Sequence, residues 1–518
     1  MKTFTVKNLC LFLLSISFCA IHAQNGVLDT SFNGTGVIDA AYETANSMTT
    51  DKNNKVLVIG HDRQSATKHI FVNRYASDGS PDKSFGNNGQ LQLDVNSDYD
   101  YGRCIKALNN GQYLISGQNS AGPYFRAILA RINQNGTLDS SFGVNGFCII
   151  NPNQQNCDAW SFEVSGSGSI YVSGYRSVNS VMKAVLWKVK PKGFIDSSFG
   201  TNGEKTMNTT SYAERFYGID MNNGSNTIVA VGISYNGAYN EGFITMIDTN
   251  GKLQTGFNSV GYKKVAHNSQ ETRYNDVSLS NSQIIVVGHY VSTGQNYLLV
   301  NSILPNGAFN PGFASGGIIA ETSTVSMFTC IIKDCKENFF LGGAVAVNSK
   351  LQFRVLRLKS NGLADSGFAS NGYYSGRIKT DNDETVEAMT LYTDSGIVFG
   401  GRTDIGASTT TSGLMRLKTR SCKQFSSIHT SVLNPLRLRI YPNPVKSSMP
   451  LSVKMNDKDL NQVVLKIISS DGQLQFISGT DNYTGTMTLL EGMHLPCGFY
   501  NLIVETSSGV YSEAFVIE

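Results

Sequence analysis

Seven short apolar runs punctuate the chain, and each closes on glycine: 56–60 (VLVIG), 113–117 (YLISG), 170–174 (IYVSG), 228–232 (IVAVG), 284–288 (IIVVG), 339–343 (FFLGG) and 397–401 (IVFGG). They do not alternate with polar residues, they are rich in β-branched side chains, and turn formers bound them. That pattern predicts strands covered on both faces. Further strand segments flank them: one ahead (103–108, 160–164, 328–332), one behind (125–132, 182–189, 353–358) and one beyond that (89–94, 147–150, 317–320). No stretch carries a helical period, so the class is all-β.

Between the apolar runs a polar phrase returns. Its clearest copies are 135–146 (NGTLDSSFGVNG), 78–89 (DGSPDKSFGNNG), 25–36 (NGVLDTSFNGTG) and 192–203 (KGFIDSSFGTNG), and drifted copies centre on Phe257, Phe313 and Phe368. The copies lie 53 to 58 residues apart, which marks one supersecondary unit repeated, each burying its apolar faces only against its neighbours. From the strand-closing Gly to the next motif Phe the distance is 25 residues in all six cases, whereas from that Phe to the following Gly it runs from 28 to 33. Insertions are tolerated in loops and not in packed elements, so the first half of the unit is the frame and the second holds the variable loop. Four strands in about 55 residues, seven times over, predict a seven-bladed β-propeller across 24–418, with N- and C-terminal strands sharing one blade.

The phrase is turn chemistry. Asn-Gly or Asp-Gly supplies residues that accept positive φ, and Asp29, Asp82, Asp139, Asp196 and Asp365 hydrogen-bond their own backbone. Phe32, Phe85, Phe142, Phe199, Phe257, Phe313 and Phe368 are then apolar plugs under a polar loop. Gln254, Asn310 and Pro311 stand where the close copies have Asp or Ser, so not every unit needs the acid. These motifs resemble the delta-60 repeat, a β-propeller-like family of secreted and surface bacterial proteins whose members generally have no assigned activity.

The ends of the chain differ from the repeat. Residues 1–23 carry Lys2 and Lys7, an apolar run over 9–21 and Ile21-His22-Ala23, the layout of a cleavable secretory signal. Phe18 ahead of Cys19 is bulky where a lipoprotein site needs a small residue. Removing the signal leaves 40 Lys and Arg against 39 Asp and Glu, a balance that offers nothing to nucleic acid or an anionic membrane. No later apolar segment is long enough to span a bilayer. Seven cysteines remain. Cys148 with Cys157, and Cys330 with Cys335, are near enough in sequence to pair, though buried free thiols are an equal reading.

After a polar linker at 419–431, residues 432–518 turn to short alternating segments that suit a small Ig-like β-sandwich. Tyr441, Pro442, Asn443 and Pro444, the Ser470-Asp471-Gly472 turn, and Leu495, Pro496, Gly498 and Tyr500 occur in order, and together they resemble the C-terminal sorting domain of the type IX secretion system. That resemblance implies contact with the secretion machinery and delivery through the periplasm to the cell surface or the medium.

Candidate chemistry is sparse. His61 and His289 directly follow the closing Gly of the first and fifth units, which places them across a ring and too far apart to share a ligand. The motif acids supply one carboxylate per phrase where calcium asks for six to eight oxygens. No nucleophile elbow, HExxH, P-loop or dinucleotide fingerprint occurs, and no acid recurs outside the motif at a unit-equivalent position. No catalytic, metal or cofactor site is predicted. Tyr99, Tyr101, Tyr235 and Tyr239 are candidates to stack on sugars. The chain reads as an exported binding or adhesion module for an unidentified glycan or protein. The alternative is a secreted propeller enzyme acting on polysaccharide, which needs two carboxylates about 5–9 Å apart in one cleft.

Overall fold

The computed structural model describes residues 25–419, apart from 41–43, 62–67, 96–98, 151–154, 223, 281, 393–395 and 406–408, and then 439–441, 451–454, 460–469, 474–483, 486–489, 495, 498–506 and 509–517. The predicted signal, Pro442, Asn443, Pro444, Pro496 and nearly all of the predicted linker lie outside the described residues. Two compact units divide the chain, Met1–Ile428 and His429–Glu518. Apart from one 3-10 turn, His267–Ser269, the described elements are all strands.

The first unit contains seven antiparallel sheets. The first sheet runs Ser47–Thr50, Val56–His61, Ile70–Tyr75, Gln90–Leu93 in chain order, and the next five repeat this meander. The seventh is built from Asp383–Leu391, Gly396–Ile405 and Thr409–Lys418, and it is completed from the other end of the chain. Val27–Leu28 and Val37–Ala40 both pair with Thr409–Lys418. N-terminal strands thus cover an edge that would otherwise be open to other chains.

Each innermost strand packs on the innermost strand of the next sheet, and Asp383–Leu391 packs on Ser47–Thr50, so the contacts close into a ring. Seven apolar cores fill the gaps, one between each sheet and its successor. The core between the seventh and first sheets joins Phe32, Leu414 and Tyr392 to Met48, Val56 and Val58.

The repeated Gly does not end its strand. Val56–His61 runs one residue past Gly60, and Ile284–Ser292 runs four past Gly288. The Gly is required by its partner. In sheets two to seven the inner strand carries a β-bulge opposite it, with the register skipping Arg103, Trp160, Tyr217, Asn275, Thr329 and Glu387. The bulge pushes a carbonyl of the inner strand, for example that of Asp158 or Arg273, into the space where a Cβ on Gly174 or Gly288 would sit.

The second unit has a three-stranded sheet (Arg439–Tyr441, Leu451–Lys454, Thr486–Leu489) and a four-stranded one in which Leu460–Ser469 lies between Leu474–Tyr483 and Gly498–Thr506, with Gly509–Ile517 at the edge. Leu465, Ile467, Tyr500, Leu502, Val504, Phe515 and Ile517 alternate along these strands and are buried, as are Leu451, Val453 and Leu495. The Tyr500 ring stacks on Phe515 at 5.6 Å.

Neither cysteine pairing read from sequence proximity forms. Cys148 and Cys157 are free and buried, their apolar surroundings filling the role of small hydrophobes, and Cys330 is free as well. Cys335 is disulfide-bonded, to a residue outside the described set.

Candidate functional site

The motif builds a belt at one end of the sheets. In the second sheet, Ser141 donates to Asp139 Oδ1 from its backbone N at 3.0 Å and its hydroxyl at 2.6 Å, and Phe142 N donates to the Asp139 carbonyl at 3.0 Å. Asp139 Oδ2 takes Arg131 Nε at 2.7 Å. The Ser141 hydroxyl, helped by Gln112 and Arg131, holds this carboxyl well below the usual carboxylate range.

Asp29, Asp82, Asp196 and Asp365 pair likewise with Arg416 (3.1 Å), Arg74 (2.8 Å), Lys188 (3.2 Å) and Arg357 (3.3 Å). Where the acid gives way to Gln254 or Asn310, the third-strand cation gives way too, to Met246 and Ser302. The Gln254 and Asn310 amides still donate to those residues' carbonyls, at 3.0 and 2.9 Å. All seven motif Phe rings are fully buried, one in each inter-sheet core. The residue after each Phe donates its N–H to a carbonyl of the next motif, from Asn33 to Asp78 through to Ala369 and Asn25, at 2.5–3.1 Å. These seven bonds run once around the unit.

The bulges act at the opposite end. A bulge re-aims a side chain, and in sheets two to seven it turns one toward a central cavity of about 1040 Å³ lined by all seven inner strands, which Asn46, just before Ser47–Thr50, lines from the first. The resulting ring is Asn46, Arg103, Trp160, Tyr217, Asn275, Thr329 and Glu387. Arg103 lies 4.2 Å over the Trp160 ring and pairs with buried Asp158 at 2.8 Å, and Trp160 meets Tyr217 at 5.0 Å.

Deeper in the cavity stand Lys106, Glu163, Asp220 and Asp276. Lys106 pairs with Glu163. Asp220 accepts the N–H groups of Met221 (2.7 Å) and Leu279 (2.6 Å), and Asp276 those of Val277 (2.9 Å) and Ile331 (3.0 Å), so each acid stitches its inner strand to the next. Burial, reinforced by Glu163, pushes Asp220 up to about 7. Burial, with smaller help from Glu163, raises Asp276 to about 6, and burial with Asp404 raises Glu387 to about 7; burial lifts the Cys104 and Cys330 thiols too, which leaves them unreactive.

Acids therefore do recur outside the motif at equivalent positions. Glu163 faces Tyr171 and Asp220 faces Val229, both three residues ahead of the repeated Gly. Counting back from that Gly hides the match, because the hairpin after Asp220 is one residue longer than the one after Glu163.

The histidines read from sequence stay separate. His61 meets Thr44, Asn46 and Tyr101, and His289, pushed down to about 4 by burial and by Arg273, sits in the fifth sheet. His69, Asp94 and Asp100 could hold a metal ion, with one nitrogen and two oxygens within 4.8 Å of one another. The repeat also explains them structurally. Asp100 takes Val95 N at 2.9 Å and Asn119 Nδ2 at 2.7 Å, and Glu214, at the equivalent position of the fourth sheet, faces Lys183 at 3.7 Å where the first sheet has His69.

Residues 439–518 match the family model described as the secretion system C-terminal sorting domain, and residues 108–142 match the domain of unknown function (DUF5122) beta-propeller. The second match spans the frame half of one unit, from the second strand to Phe142. The curated proteins yield no match. Similar solved structures include the polysaccharide lyase Uly1 (9% identity over 72% of this chain and 90% of that one, TM-score 0.43). Others are an acylaminoacyl peptidase of Pyrococcus horikoshii (8%, 82% and 61%, 0.41) and a fungal alcohol oxidase of the AA5 family in complex with copper (11%, 93% and 98%, 0.40). Likenesses this weak carry no argument about activity. Among the described residues no helix is long and apolar enough to cross a membrane. The chain joins a β-propeller to a type IX sorting domain, and so is exported by the type IX system to the cell surface or the medium.

Proposed function

We propose that the seven sheets are the blades of one seven-bladed propeller of delta-60-like repeats spanning about 24–418. In this reading 1–23 is a signal peptide, 419–431 a linker, and 432–518 an Ig-like sandwich that serves as the export address. The exported propeller is a binding or adhesion module, and its ligand docks at the bulge end of the channel.

One observation carries this reading. At the belt end the same residue types return in blade after blade, as scaffolding requires, whereas the bulge ring takes a different side chain in nearly every blade. Asn46, Asn275 and Thr329 do share one structural bond, to the carbonyl just before the next ring residue, but Arg103, Trp160, Tyr217 and Glu387 share none. A ring of one Arg, one Trp, one Tyr, one Glu, one Thr and two Asn offers the mixed stacking and hydrogen bonding of a recognition surface.

A second reading, hydrolysis or elimination on a polysaccharide, is favoured by the raised carboxyls Asp220, Asp276 and Glu387 in the same cavity. Purified protein challenged with a glycan and protein panel separates the two. The module reading expects binding without turnover, lost in Trp160→Ala. Product formation abolished by Glu387→Gln or Asp220→Asn would replace it with the enzyme. Deleting 432–518 should leave a folded propeller in the periplasm, and normal surface delivery of that truncation would refute the assigned boundary.

A further inference from the structure

Between 25 and 419, eleven of the twelve arginines that the structure describes have an acceptor. Arg74, Arg103, Arg131, Arg176, Arg273, Arg354, Arg357, Arg402 and Arg416 pair with carboxylates. Arg126 and Arg377 donate to carbonyl oxygens. The twelfth is Arg215. It sits two residues before the bulge residue Tyr217, half-buried, with its guanidinium 5.3 Å from the Tyr175 ring of the neighbouring sheet. Its Nε is buried and has no partner, and among the described residues no acceptor receives any of its N–H groups. A guanidinium carries five donors in a fixed fork, and leaving them unmet while partly desolvated is unfavourable. Asp158, the acid of the adjoining sheet nearest in register, is already held by Arg103 through Nη2 at 2.8 Å and Nε at 3.4 Å.

We propose that this end of the channel binds an acidic polysaccharide, with a carboxylate or sulfate of the sugar on the Arg215 fork and sugar rings against the surrounding aromatics. The proposal rests on the binding-module reading and names its ligand class. Trp160 and Tyr217, 5.0 Å apart, lie on the channel side of Arg215. Three residues before Arg215, Tyr212, 47% exposed, packs edge-on to Tyr235 at 5.5 Å. Arg215 thus has an aromatic track along its own segment of chain, Tyr217 on the channel side, Tyr175 across from it and Tyr212 three residues before it. An oxyanion alone would satisfy the guanidinium and leave this track unused, whereas a chain of acidic sugars uses both, since planar oxyanions match the Arg fork and aromatic faces take the apolar faces of pyranose rings.

The test is calorimetric titration of the full chain at low and moderate salt with polygalacturonate (carboxylate), dextran sulfate (sulfate), neutral dextran and polyglutamate, repeated with Arg215→Ala, Arg215→Lys and Trp160→Ala. An acidic polysaccharide should bind, dextran should not, and Arg215→Ala should weaken binding about 10- to 100-fold, the loss expected for a charge-assisted pair. Arg215→Lys, which keeps charge without the fork, should restore only part of it. The polymer that binds identifies the oxyanion as carboxylate or sulfate. Because Arg215 loses only its contact with the Tyr175 ring and no hydrogen bond or ion pair, Arg215→Ala should melt within about 1–2 °C of the parent, which separates lost recognition from lost folding. Equal affinity in Arg215→Ala, or dextran bound as tightly as the acidic polymers, overturns this proposal and leaves the module standing. Polyglutamate bound as tightly reassigns the site to acidic protein. No binding to any polymer overturns the proposal, and the module reading falls with it if the wider glycan and protein panel is also negative.

Discussion

Replacing Phe142 with Ala tests whether the belt is part of the cooperative structure. The ring is wholly inaccessible and belongs to the core between the second and third sheets, beside Cys157, Phe162, Val172 and Trp187. Arg131 lies 4.8 Å over one face, and Gly193 of the next motif sits so close that even a Cβ there would come within 2.9 Å of the ring. The loop above is pinned by Arg131 and Asp139 and by the bond from Gly143 N to the Lys192 carbonyl, at 2.7 Å. It is not free to settle into the hole, so the cost belongs in the upper range for a buried aromatic, about 3–5 kcal/mol. With a specific unfolding entropy of about 2 cal/mol/K per residue over roughly 395 residues, that loss lowers the melting temperature by about 4–6 °C if the ring unfolds as one body. Differential scanning calorimetry of the full chain reads this directly. A melting temperature within a degree of the parent would mean that the belt lies outside the cooperative unit, and the reasoning would fail.

Three further outcomes follow from the same geometry. Asp139→Asn should destabilise by about 1–3 kcal/mol, because Arg131 loses its anion, whereas the double change Arg131→Met with Asp139→Gln, which copies Met246 and Gln254 of the fourth sheet, should recover much of that loss in urea melts. Gly174→Ala should collapse soluble yield, since its Cβ meets the Asp158 carbonyl, while Gly166→Ala, with open space around it, should express and melt like the parent. Asp220, Asp276 and Glu387 have folded pKa values raised to about 7, 6 and 7, so the native state binds more protons than the unfolded chain between about pH 4 and 7. Stability should therefore fall as pH rises through that window. Asp220→Asn with Glu387→Gln should flatten the urea midpoint against pH, and an unchanged slope would assign the dependence to other groups.

The frame was legible in the sequence because it is repetitive. The Phe plug, the Asp turn and the invariant 25-residue step recur often enough to be counted, and each records a packing or hydrogen-bonding demand that every sheet shares. Gly was legible as punctuation but not in its meaning. Sequence pattern marks it as a strand end, whereas the cause lies across the ladder, in a bulged partner whose carbonyl leaves no room for a Cβ. The cation that partners each motif Asp, eight residues earlier in the copies from Arg74 and Asp82 to Arg357 and Asp365, could have been found by alignment of the copies, including its joint loss at Met246 and Ser302. Cysteine proximity misled because Cys148 and Cys157 stand on different sheets, while Cys335, in the turn just after the strand that holds the buried Cys330, is bonded elsewhere.

The channel was the least legible part, for a reason the bulge supplies. A strand read by alternation assigns every second residue to one face, and an extra residue shifts that parity from the bulge onward. Arg103, Trp160 and Glu387 therefore fall on the face that alternation would give to the inter-sheet core, and no count along one strand reveals that they converge from separate sheets. The same device explains why recognition sits there. A bulge exempts its residue from the packing rule that governs both neighbours, so Trp160, Tyr217 and Glu387 stand clear of the cores, whereas Asn46, Asn275 and Thr329 donate to the carbonyls of Gly102, Phe328 and Val386 on the next inner strand and help to hold the ring closed. Arg215 stands just outside that exempt position, on an ordinary strand site over the Tyr175 ring, where a half-buried guanidinium without a hydrogen-bond acceptor is unfavourable in the free protein. A bound oxyanion would supply the acceptors it lacks, and substitution by Ala should remove affinity at only the small stability cost of the Tyr175 contact.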